Sequence, residues 1–169
     1  MFTRKLVLFL MVVVTGATLS ACTWTFEKNE DGSWQVTGEI GQEETQEAID
    51  DSLDDPLISN VQVDFKDGYI DVTADRLEPD TNVVEPLTFK LYVSVVDGHL
   101  GAEMADVTLA GEPFSPAYVD VWNERMANNL ERNARRRPNS TLEEAYVTED
   151  SLTLSWRVET AESRENQND

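Results

Sequence analysis

The residues able to do chemistry are unevenly supplied in this chain: one cysteine, one histidine, and 33 acidic side chains against 13 basic ones. His99 follows Asp97-Gly98 in a hairpin turn, and a single imidazole cannot by itself build a multi-histidine metal site. Asp50, Asp51, Asp54 and Asp55 are clustered, but the central glycine and closing glutamate of a calcium loop are missing. They read better as a solvated helix end. Glu143 and Glu144 are adjacent acids, and adjacency means little among so many carboxylates. There is no glycine-rich phosphate loop and no serine elbow. No catalytic residue, metal site or cofactor is therefore expected, and the chain reads as non-enzymatic. The only basic cluster is Arg132, Arg135, Arg136 and Arg137. It has two readings: a clamp for an anionic lipid headgroup, with Arg132, Arg135 and Arg136 as candidates, or complementation of a helix dipole and pairing with nearby carboxylates.

Cys22 is the one thiol, so no internal disulfide can form. Arg4 and Lys5 precede an apolar run from Leu6 to Leu19, too short to span a bilayer but suited to the core of a secretory signal. The run ends in Leu19-Ser20-Ala21-Cys22, which resembles the lipobox of bacterial lipoproteins. That resemblance implies diacylation of the Cys22 thiol, cleavage just before it, and usually acylation of the new amino terminus. The competing reading is a core cysteine beside an ordinary cleavage site after Ala21. Lipid attachment accounts better for a lone extracytoplasmic thiol. Two or three acyl chains would anchor stably where one would not. The expected location is the extracytoplasmic face of a cell membrane or outer membrane.

The net charge of −20 becomes near −22 once residues 1 to 21 are removed, because Arg4 and Lys5 leave and no acid does. Such a surface repels nucleic acid and anionic headgroups. It fits salt adaptation or plain solubility better than a recognition role.

Positioning comes from hydrophobic period. Residues 115 to 137 place Val119, Trp122, Met126, Leu130 and Ala134 on one face, with Ser115 as cap, Pro116 in the first turn and Pro138 beyond the end. A helix of that length is about 33 Å long. A shorter helix is expected over Gly41 to Leu53, with a thin stripe of Ala48, Ile49 and Leu53. The rest alternates with period two. Trp24 and Phe26 turn at Asn29-Glu30-Asp31-Gly32 to meet Trp34 and Val36. Val61, Val63 and Phe65 turn at Asp67-Gly68 to meet Ile70 and Val72, and Leu87 to Val95 turn at Asp97-Gly98 to meet Leu100 to Leu109. A closing pair runs over 142–148 and 152–158. The apolar phase slips near Met104-Ala105, which predicts a bulge and a bend of the sheet. Trp24 and Trp34, so close to Cys22, either touch the headgroup layer or simply pack in the sheet. These signals predict a signal peptide over 1–21, one α+β domain over 22–159, and a disordered acidic tail over 160–169.

Element order and turn placement make the mature chain resemble bacterial members of the TULIP-like superfamily of tubular lipid-binding proteins, of the YpmS and LmeA kind. The resemblance rests on Gly41 to Glu44, the hairpins Val61 to Val72 and Thr88 to Val107, the helix from Ser115, and Val147 to Leu154. It implies a curved antiparallel sheet packed on one long and one short helix, holding an acyl chain or other apolar ligand between them. Phe89, Leu91, Val93, Trp122, Met126, Leu130, Leu154 and Trp156 would line that groove. The same residues would also serve an ordinary filled core, which would make the protein an envelope structural or interaction module with an unidentified protein partner. The two readings differ in whether an apolar cavity survives between helix and sheet.

Overall fold

A computed structural model describes residues 23–53, 55–135 and 139–166. The expected signal peptide, Cys22 and the last three residues lie outside them. The fold is α+β with two antiparallel sheets, where the sequence reading expects one.

The larger sheet is a meander of neighbours, β3 (Ile58–Lys66), β4 (Tyr69–Glu78), β5 (Val83–Val96), β6 (His99–Leu109) and the two-residue β7 (Glu112–Pro113). One face carries Val63, Phe65, Ile70, Val72, Leu87, Phe89 and Leu91, all buried, so the period-two alternation does set which side faces the core. The β5–β6 register slips opposite the pair Asp106-Val107, with Asp106 at φ 53°, a bulge two residues beyond the predicted site. Lys90 Nζ donates to the Asp106 carboxylate at 2.8 Å across it.

The smaller sheet has the order β1 (Thr23–Lys28), β2 (Trp34–Ile40), β9 (Leu152–Val158), β8 (Ser140–Val147). Its central pairing, β2 with β9, joins segments more than a hundred residues apart, with Gly38 opposite Leu154 and Trp34 opposite Val158. Hairpin logic reads only sequence neighbours and cannot see such a pairing. Strand β8 then runs across the turn ends of the larger sheet. Gly68 N donates to Val147 O at 3.0 Å, and Leu142 N donates to Gly98 O at 2.7 Å.

Helix α1 (Gln42–Leu53) buries Thr45, Ile49 and Leu53, spaced by four residues. Helix α2 (Pro116–Ala134) starts as predicted, with the Ser115 carbonyl accepting from Tyr118 N and Val119 N. It ends by Ala134, short of the expected Arg137, so it is nearer 28 Å long. Trp122 and Met126 are buried while Tyr118 and Val121 stay exposed, which makes the apolar stripe narrow. Because β7 is so short, α2 takes over the open edge of β6. Asn123 Oδ1 accepts from Met104 N at 2.8 Å, and Asn123 Nδ2 donates to Met104 O at 3.2 Å. One side chain thus does what a missing strand would do at that position.

The expected disordered tail is partly replaced by a helix, α3 (Ala161–Asn166). Ser163 N donates to Thr160 Oγ1 at 3.2 Å while Ser163 Oγ accepts from Thr160 N at 2.9 Å, a reciprocal cap. Thr160 Oγ1 also donates to Gly32 O at 2.9 Å, and Ser163 is fully buried. Composition alone missed this helix because its anchor is the β1–β2 turn, far away in sequence.

Candidate functional site

An apolar cavity of about 160 Å³ remains between the larger sheet, both long elements of helix and one end of the smaller sheet. Sheet strands contribute Phe89, Leu91 and Val93 from β5 and Leu100, Ala102 and Met104 from β6. Helix α2 contributes Trp122, Met126 and Leu130; α1 contributes Thr45, Ile49, Ser52 and Leu53. Ile40, Leu152 and Leu154 close it from the smaller sheet. Trp122 is held in place from behind, its ring stacked on Phe114 at 5.3 Å and 8°. Ala48, also at the lining, is exposed, and Ser52 and Leu130 are half-buried, so the cavity opens between α1 and α2.

Seven of the eight residues predicted for the groove meet at this cavity: Phe89, Leu91, Val93, Trp122, Met126, Leu130 and Leu154. Trp156 does not. It faces the same side of its sheet as Leu154 but lies one residue pair further along, where its indole stacks on Trp24 at 5.8 Å. The contribution of α1 was missed, although Thr45, Ile49 and Leu53 at four-residue spacing carried the signal. Thr45 is the chemical exception in the wall. It is 4 % exposed, and its hydroxyl has no hydrogen-bond partner among the described residues. An unpaired buried hydroxyl is destabilising by about 1–3 kcal/mol.

At the mouth, Ser52 also borders a polar basin lined by Arg125, Asn128, Asn129, Glu131, Arg132 and Arg135. Two of the three headgroup candidates, Arg132 and Arg135, are therefore beside the cavity entrance; Arg136 lies outside the described residues. Both are engaged within their own helix end. Arg135 donates to Glu131 at 2.6 Å, and Arg132 donates to Asn129 Oδ1. The hydrogen bond and charge of Arg135 hold the Glu131 carboxyl below its ordinary value. Arg125, missed by the sequence reading, has no carboxylate partner among the described residues.

Elsewhere, no group of His, Cys, Asp and Glu among the described residues is arranged to hold a metal ion. His99 begins β6, half-buried. Trp24, Phe26 and Trp34 are 47 %, 62 % and 38 % exposed, so the first hairpin both packs one indole in its sheet and leaves an aromatic surface open. No helix among the described residues is long and apolar enough to cross a membrane. Set against known protein families, characterised proteins and solved structures, the chain matches none.

Proposed function

We propose that the protein is a non-enzymatic extracytoplasmic lipoprotein, tethered through acylated Cys22, that holds an acyl chain or another slender apolar ligand between its larger sheet and its helices. One observation carries this reading: a cavity remains between the sheets and the helices, and it is lined almost wholly by carbon. An apolar cavity of ~150 Å³ accepts benzene, so this one suits about six carbons of a chain rather than a whole long tail. The remainder of a ligand would lie in the mouth between α1 and α2, where Arg125, Arg132 and Arg135 offer donors to an anionic headgroup. An antiparallel sheet against a long helix is part of what the TULIP-like resemblance implies, and that resemblance adds support for a lipid as the ligand.

The modest volume favours one rival, an envelope interaction module whose core is nearly full, since pockets for drug-sized ligands run about 300–1,000 Å³. Native mass spectrometry of the folded chain, with a fluorescent fatty acid as probe, separates the two. Lipid binding predicts a co-purifying adduct, or saturable probe binding that Ala102→Leu abolishes. Neither adduct nor probe binding would leave the interaction module. For the tether, labelled palmitate should enter the wild type and not Cys22→Ser; label retained by that variant would refute it.

A further inference from the structure

Register places Trp24, Phe26, Trp34 and Val36 on one face of the β1–β2 hairpin, since Trp24 opposes Gly38, Phe26 opposes Val36 and Lys28 opposes Trp34. Thr25, Glu27, Gln35, Thr37 and Glu39 take the other face. The aromatic face continues onto Trp156 and Val158 of β9, both half-buried. Three large rings stay more than a third exposed, Trp24 and Phe26 on the edge strand β1 and Trp34 on its neighbour β2, in a strongly acidic protein where solubility alone would favour charge at an edge.

The reach of the chain says what covers them. Strand β1 begins at Thr23, one residue after Cys22. An extended chain advances at most about 3.5 Å per residue, so Trp24 lies within about 7 Å of the Cys22 backbone and Phe26 within about 14 Å. The polar layer on each side of a bilayer is only about 5–7 Å deep. With no stalk, a domain anchored at Cys22 must rest on the membrane, and the hairpin is the part that touches first. Tryptophan suits that layer because its ring is amphipathic.

We infer that the aromatic face of this hairpin, Trp24, Phe26 and Trp34, docks on the headgroup layer of the bilayer that holds the acylated Cys22. The inference rests on the anchor proposed above. The carboxylates Glu27 and Glu39 then point away from the lipid, and a zwitterionic surface is favoured over an anionic one.

The test uses the full chain purified from bacterial membranes and placed in phosphatidylcholine vesicles, some with lipids brominated near the headgroup. Trp122 is buried, so quenching reports chiefly on Trp24, Trp34 and their neighbour Trp156. The expected result is loss of roughly half the tryptophan emission, with the loss reduced at least twofold in Phe26→Ser. Phe26 is 62 % exposed, so that variant folds, and its circular dichroism should match the wild type. An intact mass showing the acyl adduct, together with unquenched emission, overturns the docking and leaves the anchor standing. An intact mass without acyl groups overturns both. A dimer in detergent that Phe26→Ser dissociates would put a second copy of the chain on this face and also overturn it.

Discussion

Two corners of one sheet face behave in opposite ways. On the β9 side, Leu152 and Leu154 are buried and seal the cavity. On the β1 side and at the hairpin end, Trp24, Phe26 and Trp34 point to the same side of the same sheet and remain open to solvent. Residue type does not separate them, for both corners are apolar and both alternate with period two. The difference is what lies opposite. The larger sheet and its helices reach Leu154 and stop short of Phe26. An apolar stripe along a strand therefore predicts a sheet face and says nothing about how far the opposing layer extends.

The comparison can be broken most forcefully by truncation. Trp122→Ala, at the cavity, should lose about 3–5 kcal/mol in urea unfolding. Phe26→Ser, at the open corner, should stay within about 0.5 kcal/mol of wild type. Equal losses would mean that the hairpin is buried in solution. Next in size is Gly38→Val, at the boundary between the corners. A Cβ on Gly38 would stand 2.8 Å from Trp24 Cζ3, so the indole that bridges to Trp156 must leave its seat. A loss of about 1–3 kcal/mol is expected, with a changed near-ultraviolet tryptophan signal. An unchanged spectrum would show that the stack does not persist in solution.

A smaller effect of opposite sign is expected inside the cavity. Thr45→Val keeps the side-chain shape and removes the unpartnered hydroxyl, so it should stabilise the ligand-free chain by about 1 kcal/mol. A destabilisation there would mean that Thr45 finds a partner. The smallest effect concerns acid. Ser33 Oγ and Ser33 N donate to Asp31 Oδ1 at 2.7 and 3.0 Å, and Arg157 donates to Oδ2. The Ser33 hydroxyl bond is the leading cause, with the backbone bond and Arg157 behind it, that holds the Asp31 carboxyl below its ordinary value. A depressed carboxyl contributes stability that is present above its unfolded value, near pH 4, and is lost as pH falls through the folded one. Amide-exchange protection in the β1–β2 turn and in α3 docked on it, relative to the intrinsic rate, should therefore fall below pH 4 in the wild type. Asp31→Asn should flatten that response.

Much of the architecture was readable from period and punctuation. The Asp67-Gly68 and Asp97-Gly98 turns, the start of α2 at Ser115-Pro116 and the bulge within two residues of its predicted place all follow from rules that act over a few neighbours. Seven of the eight residues expected around a groove do line one cavity, since a helix stripe and a strand face that are both apolar usually meet. What failed was long-range. Trp156, expected at the groove with Leu154, stacks on Trp24 instead. Nothing local marks Asn123, because its two bonds go to the Met104 backbone on another element. The tail helix was missed because Gly32, which holds it, is over a hundred residues away.

The amino-acid order alone determined the α+β class, the antiparallel hairpins and the two principal helices, because local dihedral preference and hydrophobic period decide those. Only the tertiary structure decided that the strands divide into two sheets, that β2 pairs with β9, that a cavity of about 160 Å³ survives beside Trp122, and that one aromatic corner is left uncovered. Each of those depends on which distant surfaces meet and how completely they fill the space between them, and volume is a property of the assembled layers rather than of any one strand or helix.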